Sequence, residues 1–252
     1  MLLIDKVSII TGAAQGIGYA IAKMYAENGA VVVLADIQGE AVKRAAANIA
    51  FDTGAQTASY TLDICDKTQI NNVVADIVKR FKRVDILVNN AGICPHSDIL
   101  DMEESLWDKV FAVNVKGAFL MTQAAGKFMV LQKSGKIINI SSCSGKKPSL
   151  GEGAYCSSKS AVIGLTRVTA LELGVHGITC NAICPGATDG LMLRTNIITD
   201  PETEKEWINK TALKKLGQPE DQAKVAVFLG SSLSDFITGE SLIVSAGEIM
   251  TQ

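Results

Sequence analysis

The chain has 252 residues, of which 48% are hydrophobic, so it can bury a large core within one α/β domain. Its 24 basic and 26 acidic residues give a net charge of −2, with no long block of one sign, which argues against nucleic acid or an anionic membrane as the main partner. The sequence has neither the pattern of a signal peptide nor the roughly 20 apolar residues of a membrane helix, so we expect a cytoplasmic protein.

Short β-branched segments alternate with longer segments of helical periodicity along the chain. Strands are predicted at 7–11, 31–36, 56–62, 84–88, 136–141, 178–184 and 241–245, and helices at 17–27, 38–52, 67–81, 105–111, 115–131 and 152–174. Strands that are apolar throughout have to be covered on both faces. The pattern predicts a doubly wound, Rossmann-like α/β fold, with a parallel sheet of about seven strands between two layers of helices.

No repeat, low-complexity stretch or linker divides the chain, so residues 1–252 are expected to form a single domain. One irregular segment, residues 188–217, follows the sixth predicted strand, at the sheet edge where parallel sheets bind ligands. We interpret this segment as a mobile substrate flap. The alternative is a surface excursion without function.

A glycine-containing turn, Thr11-Gly-Ala-Ala-Gln-Gly-Ile-Gly18, joins the first strand to the first helix. Glycines let the backbone turn tightly and approach a pyrophosphate, which the N–H groups of the helix N-terminus stabilise. The second strand ends in Asp36, where a carboxylate can bind the adenosine ribose of NAD and would repel the 2′-phosphate of NADP. Neither Ala13 nor Ile37 supplies a cation for that phosphate, so we expect NAD. Asp36 has an alternative role as a cap of the following helix.

Tyr155 and Lys159 lie four residues apart, and therefore on one face of the predicted helix at 152–174. A nearby cation favours the phenolate and lowers the pKa of the tyrosine toward neutrality. A general acid/base at physiological pH requires such a pKa.

The sequence resembles the short-chain dehydrogenase/reductase family from Val7 to about Gly247. The motifs that carry the resemblance are the glycine turn at Gly12, Gly16 and Gly18, then Asp63, Asn89-Asn90-Ala91-Gly92, Asn114, Ser142, Tyr155 with Lys159, and Pro185-Gly186. The resemblance implies a hydride-transferring enzyme with a catalytic tetrad of Asn114, Ser142, Tyr155 and Lys159. Ser142 would hold the substrate oxygen and Tyr155 would exchange its proton. Lys159 would depress the pKa of the tyrosine and bind the nicotinamide ribose, and Asn114 would position a water that links Lys159 to solvent.

The glycine turn and the resemblance together predict the residues that contact NAD. These are Gly12, Gln15, Gly16, Ile17, Gly18, Asp36, Ile37, Asp63, Ile64, Asn90, Ala91, Gly92, Tyr155, Lys159, Pro185, Gly186 and Thr188. Asn89 is expected to brace the sheet instead. The role of Thr188 is open, since many relatives carry a threonine two places further on, where this chain has Gly190.

The predicted substrate entrance consists of Cys94, His96, Ser142, Ser144 and Glu152. Glu152 or His96 could bind a second hydroxyl or an amine of the substrate, and the alternative for each is a solvated surface group. The six cysteines form no C-x-x-C pair, so we interpret them as small buried hydrophobes and predict no metal site.

We expect an NAD-dependent dehydrogenase or reductase of small secondary alcohols, polyols or ketones. The alternatives are a 3-oxoacyl-(acyl-carrier-protein) reductase, a hydroxysteroid dehydrogenase and, in another class, a cofactor-sensing or scaffolding protein that has lost the chemistry. The complete tetrad argues against the last. The resemblance also implies a homotetramer, although the C-terminal turn, Ser245-Ala-Gly-Glu248, departs from the Asp-Gly-Gly turn of relatives.

Overall fold

A seven-stranded parallel sheet forms the centre of the molecule in the computed structural model, which describes residues 1–250. Its strands are β1 Val7–Thr11, β2 Val31–Asp36, β3 Thr57–Thr61, β4 Ile86–Asn89, β5 Gly135–Ile140, β6 Ile178–Pro185 and β7 Ser241–Val244. The strand order is β3-β2-β1-β4-β5-β6-β7, and every neighbouring pair is parallel. The predicted doubly wound α/β sheet is confirmed.

The helices are α1 Gly16–Glu27, α2 Gly39–Thr53, α3 Lys67–Phe81, α4 Glu104–Phe111, α5 Ala118–Gln132, α6 Gly153–Gly174 and α9 Pro219–Gly230, with α7 Leu191–Asn196 and α8 Pro201–Lys210 in the flap. Local sequence explains several of their ends. The Asp66 carboxylate accepts hydrogen bonds from the backbone N–H groups of Thr68 and Gln69 and so starts α3. Pro219 occupies the first turn of α9, where its missing N–H costs nothing.

Two apolar clusters cover the two faces of the sheet. On one face β-branched strand residues pack against α1, α2 and α9, and on the other they pack against α3, α5 and α6. The fully buried Tyr25 of α1 donates a hydrogen bond of 2.8 Å to the carbonyl oxygen of Ala226, which joins α1 to α9. Continuous apolar strands therefore lie between two helical layers, as their sequences predict.

The sequence analysis differs from the structure in three segments. It gives no helix between residues 217 and 241, whereas α9 lies there and fills one face of the sheet. The flap, expected to be irregular, contains α7 and α8. The predicted helix at 115–131 begins later, because residues Ala112–Gly117 form a π-helical segment that continues α4 into α5.

The strand order reverses at β1, which pairs with β2 on one side and with β4 on the other. The connections on the two sides of β1 therefore run in opposite directions, and this opens a crevice at the carboxyl ends of the strands. Among the described residues, no helix is both long and apolar enough to cross a membrane.

Candidate active site

A cavity of about 760 Å³ lies at the carboxyl ends of the strands. It brings together nearly all of the predicted site residues, although they come from distant parts of the chain. Of the predicted residues, only Gly18, Asn114 and His96 do not line it. The flap contributes side chains of both its helices, among them Leu193 and Trp207. The flap therefore covers part of the cavity.

The glycines of the first turn have two different functions. Gly12 has a φ of +63°, and a Cβ there would lie 2.8 Å from the Cα of Ala91, while a Cβ on Gly18 would collide with the carbonyl oxygen of Gly12. Both positions need glycine for packing. Gly16 has a φ of +60°, yet a Cβ there would have no atom within 4 Å. Gly16 thus faces open cavity beside the N-terminus of α1, where a pyrophosphate fits.

The turn is fixed from the neighbouring strand by Asn90. Its side-chain amide donates to the carbonyl oxygens of Thr11 and Gly12, at 2.9 Å each. Its backbone N–H donates to the Thr11 hydroxyl at 3.0 Å. The amide of Asn90 is thus committed to the turn, which leaves its backbone and those of Ala91 and Gly92 to line the cavity.

Asp36 is 9% exposed and lines the cavity at the end of β2. Its two carboxylate oxygens accept hydrogen bonds from the backbone N–H groups of Ala14, at 3.1 Å, and Gln38, at 3.0 Å. The residue that caps α2 is Gln38, so Asp36 is not the helix cap of the alternative interpretation. These bonds fix the carboxylate beside the glycine turn, in position for a ribose.

Asp63 and Ile64 follow β3 and line the same end of the cavity. The Asp63 carboxylate accepts from the backbone N–H of Cys65 at 2.8 Å. A side chain at Gly117, in the π-helical segment, would collide with Ile64. Gly117 and Ile64 therefore pack closely and leave no gap in the cavity lining beside Ile64.

Asn89 donates to Thr122 at 3.1 Å and to Asn139 at 2.8 Å, which confirms that it braces the sheet.

Tyr155, Lys159 and Ser142 meet at the opposite end of the cavity. The Lys159 ammonium donates to the carbonyl oxygen of Ile140 at 2.8 Å and lies 5.6 Å from the centre of the Tyr155 ring. The Ser142 hydroxyl is hydrogen-bonded to the Tyr155 side chain and accepts from the backbone N–H of Ser144 at 3.0 Å. One phenol, one hydroxyl and one ammonium thus surround a space where a reacting oxygen can lie.

The pKa of Tyr155 differs from the expectation. Burial raises it above its usual value, and the hydrogen bond from Ser142 opposes this only in part. Burial also lowers the pKa of Lys159, to about 8. Desolvation disfavours the charged form of each group, so the protein alone does not bring the tyrosine pKa toward neutrality. The expectation that proximity to Lys159 brings this pKa toward neutrality was wrong, because burial has the larger effect.

Asn114 is buried in the π-helical segment and joins two elements of the site. Its side-chain oxygen accepts from the backbone N–H of Ile93 at 2.9 Å, and its amide donates to the carbonyl oxygen of Ile93 at 2.9 Å. The amide also donates to the Ser158 hydroxyl at 3.0 Å. Asn114 is a positioning residue in this arrangement, because it holds the segment after β4 against α6.

Glu152 is 4% exposed, so the alternative of a solvated surface group was wrong for this residue. One carboxylate oxygen accepts from the Ser144 hydroxyl at 3.2 Å, and the other lies 3.5 Å from Nε2 of His96. The His96 side chain is 41% exposed. Cys94, Ser144 and Glu152 line the cavity, whereas His96 does not.

The turn after β7 contains a site residue that the sequence analysis missed. Glu248 lines the cavity, and its carboxylate accepts from the backbone N–H of Ala187 at 3.1 Å. A Cβ on Gly186 would lie 2.7 Å from the same carboxylate oxygen. The atypical turn that ends in Glu248 was the available sign of this role.

The Thr188 hydroxyl donates to the carbonyl oxygen of Gly186 at 3.0 Å and accepts from Gln222 at 3.2 Å, so it is already engaged within the protein.

Comparisons with known proteins identify the relatives of this chain. A family model described as Enoyl-(Acyl carrier protein) reductase matches residues 12–248. The NAD-dependent glycerol dehydrogenase of Listeria innocua serovar 6a is 39% identical over 251 residues, covering 96% of this chain and 93% of that protein. A 3-oxoacyl-(acyl-carrier-protein) reductase of Thermotoga maritima is 37% identical over 257 residues, covering 99% of this chain and 100% of that protein. The crystal structure of NAD⁺-bound xylitol dehydrogenase superimposes with a TM-score of 0.93 at 30% identity, covering 97% of this chain and 99% of that chain.

Proposed function

This chain belongs to the short-chain dehydrogenase/reductase family, and from that premise we propose that it transfers a hydride between NAD and a small secondary alcohol, polyol or ketone. The observation that carries the proposal is the cavity that has Asp36 and Gly16 at one end and Ser142, Tyr155 and Lys159 at the other. Hydride transfer requires a dinucleotide site and a proton-exchanging group in one enclosed space, and this cavity contains residues suited to both.

The residues at the nicotinamide end have separate roles. Ser142 donates to the substrate oxygen and stabilises its developing charge. Tyr155 takes the hydroxyl proton during oxidation and returns it during reduction. Lys159, 5.6 Å from the phenol ring, stabilises the phenolate and can donate to the nicotinamide ribose. NAD⁺ would be held by Asp36, the glycine turn and Lys159, and it would supply the hydride acceptor for alcohol oxidation.

NAD is proposed rather than NADP because of the charges around Asp36. The cavity-lining residues from the glycine turn through β3 (Gly12, Gln15, Gly16, Ile17, Ala35, Asp36, Ile37, Gln38, Leu62, Asp63 and Ile64) include two carboxylates and no lysine or arginine. A 2′-phosphate at this place would be repelled by Asp36 without a compensating cation. The NAD-dependent glycerol dehydrogenase and the NAD⁺-bound xylitol dehydrogenase support the same choice.

The substrate class follows from the entrance residues and the relatives together. Glu152 and Ser144 present polar atoms to the cavity beside Tyr155, which suits a substrate with more than one hydroxyl. Glycerol and xylitol dehydrogenases are among the similar proteins, so a polyol is favoured. The second candidate is reduction of a 3-oxoacyl thioester, which the Thermotoga maritima relative favours and the carboxylate of Asp36 disfavours.

Assembly and organisation are part of the proposal. Exposed apolar side chains lie on α5, at Phe119 and Leu131, and on α6, at Val168 and Leu171. Burying such side chains against further copies of the chain is favourable, which supports a homotetramer. We retain a single catalytic domain over residues 1–252, with a substrate flap at 188–217, and a cytoplasmic location.

A screen of cofactor reduction tests the proposal. Purified protein is incubated with NAD⁺ and a panel of secondary alcohols and polyols of both chiralities, and NADH formation is followed. In parallel it is given NADPH or NADH and a 3-oxoacyl thioester. We expect NAD⁺ reduction with at least one polyol or alcohol. Thioester reduction with NADPH alone would support the second candidate, and no turnover with any compound would contradict the proposed function.

A further inference from the structure

Three side chains at the substrate end of the cavity bring potential metal-binding atoms together. The Cys94 sulfur, one ring nitrogen of His96 and one carboxylate oxygen of Glu152 all lie within 4.8 Å of one another. The distance from Nε2 of His96 to Oε1 of Glu152 is 3.5 Å. Ligand atoms around one tetrahedral zinc ion lie about 3.3–3.6 Å apart. Side-chain shifts of about 1 Å would therefore bring the three atoms to ligand spacing.

The backbone holds the three residues in place. Cys94 and His96 follow β4, whereas Glu152 immediately precedes α6. An isolated parallel β-bridge pairs Ser97 with Glu152, and the Ser97 N–H donates to the carbonyl oxygen of Gly151 at 2.9 Å. Because this bridge joins the two segments beside the cluster, the potential ligands do not depend on a loose loop for their proximity.

The charge of Glu152 is incompletely compensated. The side chain is 4% exposed, and among residues 1–250 the only basic group in an ion pair with it is His96. Ser144 supplies a hydrogen bond but no charge. A buried carboxylate is costly unless a cation pairs with it. A metal ion between Glu152, His96 and Cys94 would supply that cation.

From this geometry we infer that Cys94, His96 and Glu152 form a binding site for one zinc ion per chain, with the fourth coordination position open to the cavity. Thiolate, imidazole and carboxylate are the ligand types that zinc prefers. Burial and Glu152 raise the pKa of the Cys94 thiol to about 12, so zinc binding has to displace the thiol proton. The sequence analysis predicted no metal site because the cysteines form no C-x-x-C pair, and the proximity of Glu152 to Cys94 and His96 depends on the fold.

The position of the site has a functional consequence. Cys94 and Glu152 line the same cavity as Ser142 and Tyr155. A zinc ion bound to them would occupy part of the substrate end and leave the Asp36 end open. Zinc would therefore act as a reversible inhibitor that competes with the alcohol and not with NAD.

The binding experiment uses untagged, cofactor-free protein. Isothermal titration with Zn²⁺ should give one site per chain, and Co²⁺ should produce a thiolate-to-cobalt absorption band. Cys94→Ser should abolish the band, and His96→Asn and Glu152→Gln should each weaken zinc binding by at least about a hundredfold, since losing an outer-shell partner alone costs 10–100-fold. The matched control is His176→Asn, just beyond the C-terminus of α6, which should bind zinc like the parent. Circular dichroism checks that each variant is folded.

Several outcomes would overturn the inference. The inference fails if the parent protein binds no zinc, or if Cys94→Ser binds zinc as tightly as the parent. It also fails if the cobalt band is lost in Cys156→Ser and kept in Cys94→Ser. The Cys156 sulfur lies 4.0 Å from Oε2 of Glu152, which makes it the appropriate rival thiol. The titration requires neither cofactor nor alcohol, so its result is independent of the proposed oxidoreductase function.

Discussion

The Lys159 ammonium lies 5.6 Å from the centre of the Tyr155 ring, and burial moves the pKa values of the two groups in opposite directions. The pKa of Tyr155 is raised, and that of Lys159 is lowered to about 8. Both shifts favour the uncharged form, because the surrounding protein solvates charge less well than water does. Lys159 is therefore held in its charged form at a cost to stability below pH 8, whereas the raised pKa of Tyr155 keeps the phenol neutral.

Lys159→Met is expected to stabilise the folded protein at neutral pH. The pKa of Lys159 falls from its ordinary 10.5 to about 8 on folding, so the folded state binds this proton less strongly than the unfolded state. The penalty is complete below pH 8, on the order of 3 kcal/mol, and disappears as the pH rises from about 8 to 10.5. Urea unfolding of parent and variant from pH 6 to pH 10 measures it. A stability difference that does not shrink with rising pH would show that Lys159 carries no such penalty.

Asp36 is expected to determine cofactor choice. Hydrogen bonds donated by ribose hydroxyls to a carboxylate contribute about 1.5–3 kcal/mol each, so the parent should prefer NAD by at least about a hundredfold in kcat/KM. Asp36→Ser with Ile37→Arg should move the preference toward NADP, since Ile37 is 66% exposed and leaves room for an arginine. Asp36→Asn is the control, because it removes the charge and nearly preserves the shape. A parent that uses both cofactors equally, or a ratio unmoved by the double change, would refute the assignment.

Ser142→Ala should lower kcat by roughly two orders of magnitude, the usual cost of removing one donor to a developing oxyanion. Because the Ser142 hydrogen bond lowers the pKa of Tyr155, its loss should also move the pH profile of alcohol oxidation to higher pH. Ser144→Ala serves for comparison, since its hydroxyl binds Glu152 instead of Tyr155. Equal losses in the two variants would show that contact with Tyr155 is not what distinguishes Ser142.

The flap should become more resistant to protease when NAD and alcohol bind together, as lids over hydride-transfer sites do. Arg194 of α7 joins its parts, donating to Asp189 at 2.7 and 3.0 Å and to Glu204 at 2.8 and 2.9 Å. Arg194→Met should raise KM for the alcohol and speed cleavage within residues 188–217. Lys224→Met, which removes an ion pair with Asp221 on α9, is the control. Cleavage that neither ligand slows would contradict the lid role.

The sequence allowed the sheet, the glycine turn, Asp36 and the Tyr155–Lys159 pair to be predicted, because each depends on local spacing or on a strand end. The environment of Glu152 could not be predicted, since its contact with His96 depends on how the segment after β4 packs beside α6. The prediction for the pKa of Tyr155 was wrong for a related reason, because residue spacing reveals a neighbouring cation but not the burial of the phenol. Glu248 was missed because its partner, Ala187, is a backbone group.

The most direct test of the central claim is the turnover of Tyr155→Phe. Phenylalanine keeps the ring and removes only the hydroxyl that exchanges a proton with the substrate. Purified variant and parent are compared for NAD binding by calorimetry and for oxidation of the best alcohol from the screen. The account predicts unchanged folding, NAD affinity within about twofold of the parent, and kcat lower by two to four orders of magnitude, the range attributed to general acid/base catalysis. Substantial turnover by a folded, NAD-binding Tyr155→Phe protein would contradict it.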